Sequence, residues 1–188
     1  MKLNSNEWSE TQNEDYLALS EKRLLEPKLK WVKQFCAILN KEIKDSILCT
    51  TQAISLNDYG CNVGHFFRGL DEVSYGIDYR GFDVSSIYLD IAKKTFGNKH
   101  FHMLDVSDSS SSNEYIFKCD ISVISATLEH IEDYEAAVSN IFKHTSNLVI
   151  MRTFVGEFAL KDICRTIGAK ADYIIRQFTI EDLVRIPL

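Results

Sequence analysis

Three carboxylates close three separate apolar runs: Asp58 in "SLNDYGCNVG", Asp83 in "YRGFDVSS" and Asp105 in "HFHMLDVSD". Gly60 and Gly64 follow the first of them. Glycine in a turn adds no packing and costs backbone entropy, so the pair points to a backbone that a ligand approaches closely. Such a turn can aim backbone N–H groups and the next helix N-terminus at a polar or anionic ligand. Asp58 would then face a cationic or donor group. Asp83 suits two neighbouring ribose hydroxyls, and suits equally a cap for the helix beginning near Ile87. Asp105 could accept from an exocyclic amine of adenine or serve only its loop. Acids at successive strand ends beside a glycine turn favour a nucleoside-bearing ligand.

A second group stands in "SATLEHIED". His130 is the candidate general base, because its ordinary pKa lies near working pH. Glu129 could orient it or bind an acceptor. The competing reading is that the segment only shapes the loop and helix that follow. His100 and His102 alternate with a core residue and read as strand surface. The five cysteines (36, 49, 61, 119, 164) are scattered without a C-x-x-C pair, so neither a disulfide framework nor a zinc site is expected.

The elements that must position these groups alternate along the chain. From Pro27, the residues Leu29, Val32, Cys36, Leu39 and Ile43 predict an amphipathic helix with proline in its first turn. Residues 53–59 and 79–84 read as strands, 87–96 as a helix, and 100–104 and 119–126 as strands. A helix capped by Asp133 and a strand over 147–154 follow. Apolar strands separated by amphipathic helices predict a doubly wound, mostly parallel α/β sheet covered on both faces.

One domain is expected over 1–188: an N-terminal arm and helix (1–48), a ligand-binding core (49–155) and a C-terminal segment (156–188). "DSSSSNE" (108–114) is a loop. "GEFALKDICRTIGA" predicts a helix, "ADYIIRQF" an extended segment, and "TIEDLVRI" a helix with Thr179 and Asp182 in capping-box spacing. That leaves no complete antiparallel hairpin at the end, and the chain reads as shortened.

A net charge of −6 argues against a surface built to neutralise phosphates, so no nucleic-acid partner is expected. No apolar run is long enough to span a bilayer and the N-terminus lacks a signal-peptide core. No membrane partner and a cytoplasmic location are therefore expected; oligomeric state is left open.

The combined spacing resembles the class I S-adenosylmethionine-dependent methyltransferases over roughly residues 50–155. "DYGCNVG" is similar to their first motif, D-x-G-C-G-x-G, "GFDVSSIYLDIAKKTF" to the second, "FHMLDVSD" to the third, and "CDISVISATLEHIED" to the fourth strand with its trailing LEH segment. Asn62 replaces the middle glycine and is expected in a left-handed conformation, which asparagine tolerates. With His65, Asn62 also breaks the nicotinamide-binding fingerprint and disfavours a nucleotide-dependent oxidoreductase.

The resemblance implies a Rossmann-like methyltransferase fold with N-terminal helices, S-adenosylmethionine as cofactor and S-adenosylhomocysteine as product. It implies that Asp58, Tyr59, Gly60, Cys61, Asn62 and Gly64 hold the methionine portion. Asp83 would serve the ribose and Asp105 with Val106 the adenine; Ser85 would line the nucleoside pocket, and Val84 and Ser125 would also bind the cofactor. Ile87 would line the nucleoside pocket, and Trp8 and Tyr16 resemble aromatic lid residues. No N/D-P-P-Y/F motif follows the fourth strand, and the only prolines are Pro27 and Pro187, which disfavours planar amino groups as acceptors. The expected activity is methyl transfer to a small molecule at oxygen, a sugar or other metabolite. Its rival is a non-catalytic cofactor-binding module, favoured by Asn62 and the short C-terminal segment.

Overall fold

Val32, Phe35, Cys36, Leu39 and Ile43 form the buried face of helix α2 (Lys30–Asp45), which follows α1 (Glu14–Leu25). The structure, a computed structural model, describes residues 14–25, 28–45, 53–108, 118–164 and 173–186. Pro27, Trp8, the Tyr16 side chain and the serine-rich loop beyond Asp108 lie outside the described residues.

Five parallel strands form the sheet: β1 (Ile54–Tyr59), β2 (Ile77–Asp83), β3 (Phe101–Met103), β4 (Cys119–Ser125) and β5 (Thr145–Arg152), in the order β3-β2-β1-β4-β5. Strand order reverses between β1 and β4, and a doubly wound sheet opens its ligand crevice at the carboxyl ends there. Helices α3 (His65–Gly69), α4 (Ser86–Phe96) and α5 (Tyr134–His144) complete the winding. The Rossmann-like expectation holds.

The two faces of the sheet have separate cores. On one, α2 packs Leu39 and Ile43 against Leu56, Ile121 and Val123. On the other, Ala137, Val138 and Ile141 of α5 meet Tyr59, Phe82 and Ile124. Leu39 and Ile141 are fully buried, so truncating either to alanine costs about 2–5 kcal/mol. Asp133 caps α5 by accepting from the Ala136 N–H, as its position predicts. Helix α4 is capped by Ser85 rather than by Asp83.

The C-terminal segment departs from expectation. Leu160–Cys164 is strand β6, not a helix, and it pairs antiparallel with β7 (Tyr173–Gln177) in a sheet of its own. The expected lack of an antiparallel pair is corrected with it. In β7 the residues alternate, with Ile174 and Arg176 buried between half-buried neighbours, and a strand of period two needs a ladder partner. That non-local pairing overrides the helical spacing of 157–164. Helix α6 (Ile180–Val184) follows, closed by the Thr179–Asp182 capping box.

Cys36, Cys61 and Cys119 are buried free thiols. Among the described residues no cluster could hold a metal ion, and no helix is long and apolar enough to cross a membrane.

Candidate active site

Asp58 leaves the end of β1 with its carboxylate buried, accepting from the Tyr79 hydroxyl at 2.7 Å. Its register partner on β2 is Gly81. A Cβ on Gly81 would lie 2.7 Å from the Tyr79 hydroxyl and 3.0 Å from Cys61 Sγ, so glycine makes the room in which this bond forms. Tyr79, Gly81 and Asp83 share one face of β2 by their spacing of two. That periodicity was the signal for Tyr79 and Gly81, which sequence reasoning missed.

The turn after β1 runs through Gly60 at φ 77° and Gly64 at φ 90°. Asn62, at φ 53°, is left-handed as expected, and its Oδ1 accepts from the Val63 N–H at 2.8 Å. The turn's N–H groups are not aimed at a ligand. Those of Gly60 and Cys61 donate to the Phe82 carbonyl, that of Gly64 to the Cys61 carbonyl, and that of Asn62 to Asp83 Oδ2. The expectation of a backbone donor cradle is corrected: the turn's hydrogen bonds fold it onto β2 and fix Asp83.

Asp83 accepts the Asn62 N–H on Oδ2 and the Ser85 N–H on Oδ1, both at 2.9 Å, and the Val84 N–H also acts on the carboxylate. A carboxylate has about four acceptor positions, so capacity remains for further donors. Burial pushes the Asp83 carboxyl up to about 6, against the pull of these N–H groups. Burial likewise pushes Asp58 up to about 7, opposed by the Tyr79 hydroxyl and aided by the Asp83 charge. Two adjacent carboxyls that ionise reluctantly form a site that favours donors and cations.

These groups open on a cavity of about 610 Å³. Of the predicted residues, Asp58, Tyr59, Gly60, Cys61, Asn62, Asp83, Val84, Asp105, Val106, Ser125 and His130 line it. Gly64, Ser85, Ile87 and Glu129 do not. Gly64 turns the chain into α3, Ser85 caps α4, and Ile87 is at the surface. Glu129 is buried behind the wall, accepting from the Thr153 hydroxyl at 2.9 Å. Asp105 folds its own loop by accepting from the Ser107 N–H and hydroxyl, and Asn140 of α5 ties down the Val106 carbonyl.

His130 ends the 3-10 turn Leu128–His130. Its Nδ1–H donates to the Ile174 carbonyl of β7 at 2.7 Å. In the neutral ring the lone pair therefore sits on Nε2. Burial holds the His130 pKa below its ordinary value, opposed by the Ile174 bond and the Glu129 charge, so the ring is neutral at pH 7. Arg176 of β7 donates Nη1 to the Ile131 carbonyl and lies 5.1 Å over the Tyr134 ring. The antiparallel pair thus holds the segment that carries His130. Sequence reasoning also missed Arg23, Trp31, Arg152 and Tyr173, which complete the cavity wall from four different elements.

A family model described as a methyltransferase domain matches residues 23–160. No curated protein matches the chain. Among solved structures, a sugar N-methyltransferase from Streptoalloteichus is 12% identical, with 92% of this chain and 81% of that one covered and a TM-score of 0.58. An amino pentose methyltransferase from Micromonospora echinaspora, with S-adenosylmethionine bound, is 16% identical at a TM-score of 0.53. DesVI of Streptomyces venezuelae is 17% identical, also at 0.53. For each of these last two, 82% of this chain is covered, yet the chain spans only 64% of the relative's length.

Proposed function

The chain belongs to the methyltransferase-domain family, whose cofactor is S-adenosylmethionine, and on that premise we propose that it methylates a hydroxyl of a small molecule, a sugar or other metabolite. When bound, the cofactor supplies a methyl carbon on a sulfonium, an electrophile that requires alignment and exclusion of water. The residues present fit it. Asp83 keeps acceptor capacity for ribose hydroxyls, and Asp58 beside it suits the ammonium of the methionine portion. Gly60 lines the cavity beside Asp58, and Asp105 and Val106, which line it too, would serve the adenine.

His130 carries the oxygen assignment. Its Nδ1–H is committed to Ile174 and the ring is kept neutral, the state that accepts a proton from an alcohol. An amine acceptor in its free-base form needs no such base. The decisive experiment is calorimetry with S-adenosylmethionine and S-adenosylhomocysteine, followed by a methyl-release screen over hydroxyl, amino and thiol acceptors. Turnover on hydroxyl compounds supports the proposal. Turnover on amino sugars alone moves the chemistry to nitrogen, in line with the sugar N-methyltransferase likeness. Cofactor binding with no turnover across the panel identifies a non-catalytic binding module instead.

A further inference from the structure

Arg152 ends β5 and lines the cavity. Its Nε donates to the Ser125 hydroxyl at 2.8 Å, and its guanidinium carbon lies 5.2 Å over the Trp31 ring. One contact fixes an edge of the guanidinium plane and the other fixes its face, so little freedom is left to lose when a ligand binds. Among the described residues no carboxylate forms an ion pair with it. Arg176 and Arg185, by contrast, lie 3.7 Å from Glu132 and 3.1 Å from Glu181. An oriented guanidinium without a counter-ion, on the wall of a cavity, presents its Nη edge as a fork for a carboxylate or phosphate.

The surroundings of Arg152 belong to the His130 side of the cavity. It is in register with Ser125 of β4, and the next residue, Thr153, donates to Glu129, the neighbour of His130. A second cavity arginine, Arg23, stands on α1 near the glycine turn: its charge acts on His65, whose Nε2 lies 3.0 Å from the Ser20 carbonyl. The cavity therefore holds one cation near the turn and another near the candidate base.

We propose that Arg152 selects the acceptor, and that the acceptor carries an anionic group, a carboxylate or a phosphate. The proposal rests on the methyltransferase reading and deepens it by naming the charge class of the substrate. Two matched comparisons test it: a uronic acid against its neutral sugar, and a sugar phosphate against the free sugar. The anionic member of one pair should be preferred, which also tells carboxylate from phosphate. Arg152→Gln should lower kcat/KM for that member by about 100-fold and leave S-adenosylhomocysteine affinity within about two-fold. Arg152→Lys should recover only part, because a point charge replaces a fork. Equal turnover of neutral and anionic members overturns the proposal. So does a loss of S-adenosylhomocysteine affinity in Arg152→Gln, which would assign the arginine to the cofactor's own carboxylate.

A binding readout separates failure of this proposal from failure of the methyltransferase reading. In a Trp8→Phe background, inorganic phosphate or acetate should change the emission of Trp31, and Arg152→Gln should abolish the change. No response to either anion overturns the site. A response in a protein that does not bind S-adenosylhomocysteine leaves the anion site standing while the methyltransferase reading fails.

Discussion

The Nδ1 atom of His130 lies 2.7 Å from the Ile174 carbonyl oxygen, and Tyr173, the residue before, meets the same ring edge to face at 5.7 Å. Strand β7 thus sets both the tautomer and the tilt of the His130 imidazole. Arg176, two residues further on, anchors β7 to the Ile131 carbonyl. The small antiparallel pair is in this way part of the site rather than an appendage to it.

If that imidazole removes the acceptor's proton, His130→Asn should lower kcat by about 10²–10⁴-fold, the usual share of general acid–base catalysis. S-adenosylhomocysteine affinity, measured by calorimetry, should stay close to wild type. At saturating cofactor the wild-type kcat should fall as pH drops through the histidine's pKa, since only the neutral ring accepts a proton. Burial lowers that pKa, so the fall begins at a lower pH than for an exposed histidine. The limb should vanish in the variant. Wild-type turnover in a folded His130→Asn protein would make the histidine structural.

The buried carboxyls give a second pH dependence with the opposite origin. Asp83 and Asp58 hold their protons to about 6 and about 7, against an ordinary value of 3.8. The folded protein therefore binds more protons than the unfolded chain between these limits. The stability these groups contribute is fully present below the ordinary value and is lost as pH rises through the folded values. Ribose hydroxyls donating to Asp83 favour its charged form, so binding should expel protons. Affinity for S-adenosylhomocysteine should rise with pH through about 6, with net proton release seen by calorimetry in buffers of different ionisation enthalpy. Asp83→Ala should weaken binding by roughly ten- to one hundred-fold, matching about 1.5–3 kcal/mol for hydrogen bonds to a charged group. Unchanged affinity would remove Asp83 from the site.

The five parallel strands were legible because strands buried on both faces read as nearly continuous apolar runs, and the caps at Asp133 and Thr179 because capping chemistry is local. The left-handed Asn62 was legible for the same local reason. What escaped depends on partners distant in sequence. Strand β6 exists through its ladder with β7. Glu129 and His130 are adjacent on one tight turn, yet only His130 reaches the cavity, and no spacing rule separates them. Arg152 is oriented by Trp31 from the other end of the chain. The glycine turn itself was legible, whereas the use of its N–H groups was not, since the acceptors of the Gly60, Cys61 and Asn62 N–H groups sit on β2.

Gly60 offers the sharpest test of that turn. An alanine Cβ there would stand 2.0 Å from the Thr127 hydroxyl oxygen at a φ of 77°. The left-handed backbone costs a non-glycine residue about 1–2 kcal/mol, and overpacking adds about 1–3 kcal/mol. Gly60→Ala should therefore lower Tm by roughly 4–20 °C, at about 2–4 °C per kcal/mol for a chain of this size. It should also weaken S-adenosylhomocysteine binding, because the displaced turn carries the Asn62 N–H that positions Asp83. Thr127→Gly removes the clashing side chain but leaves the backbone strain. In a double-mutant cycle the pair should couple favourably by about 1–3 kcal/mol, recovering the overpacking cost and not the conformational one. Additive losses would mean that the turn, not Thr127, gives way, and would remove the end of β4 as the wall that shapes the Gly60 turn.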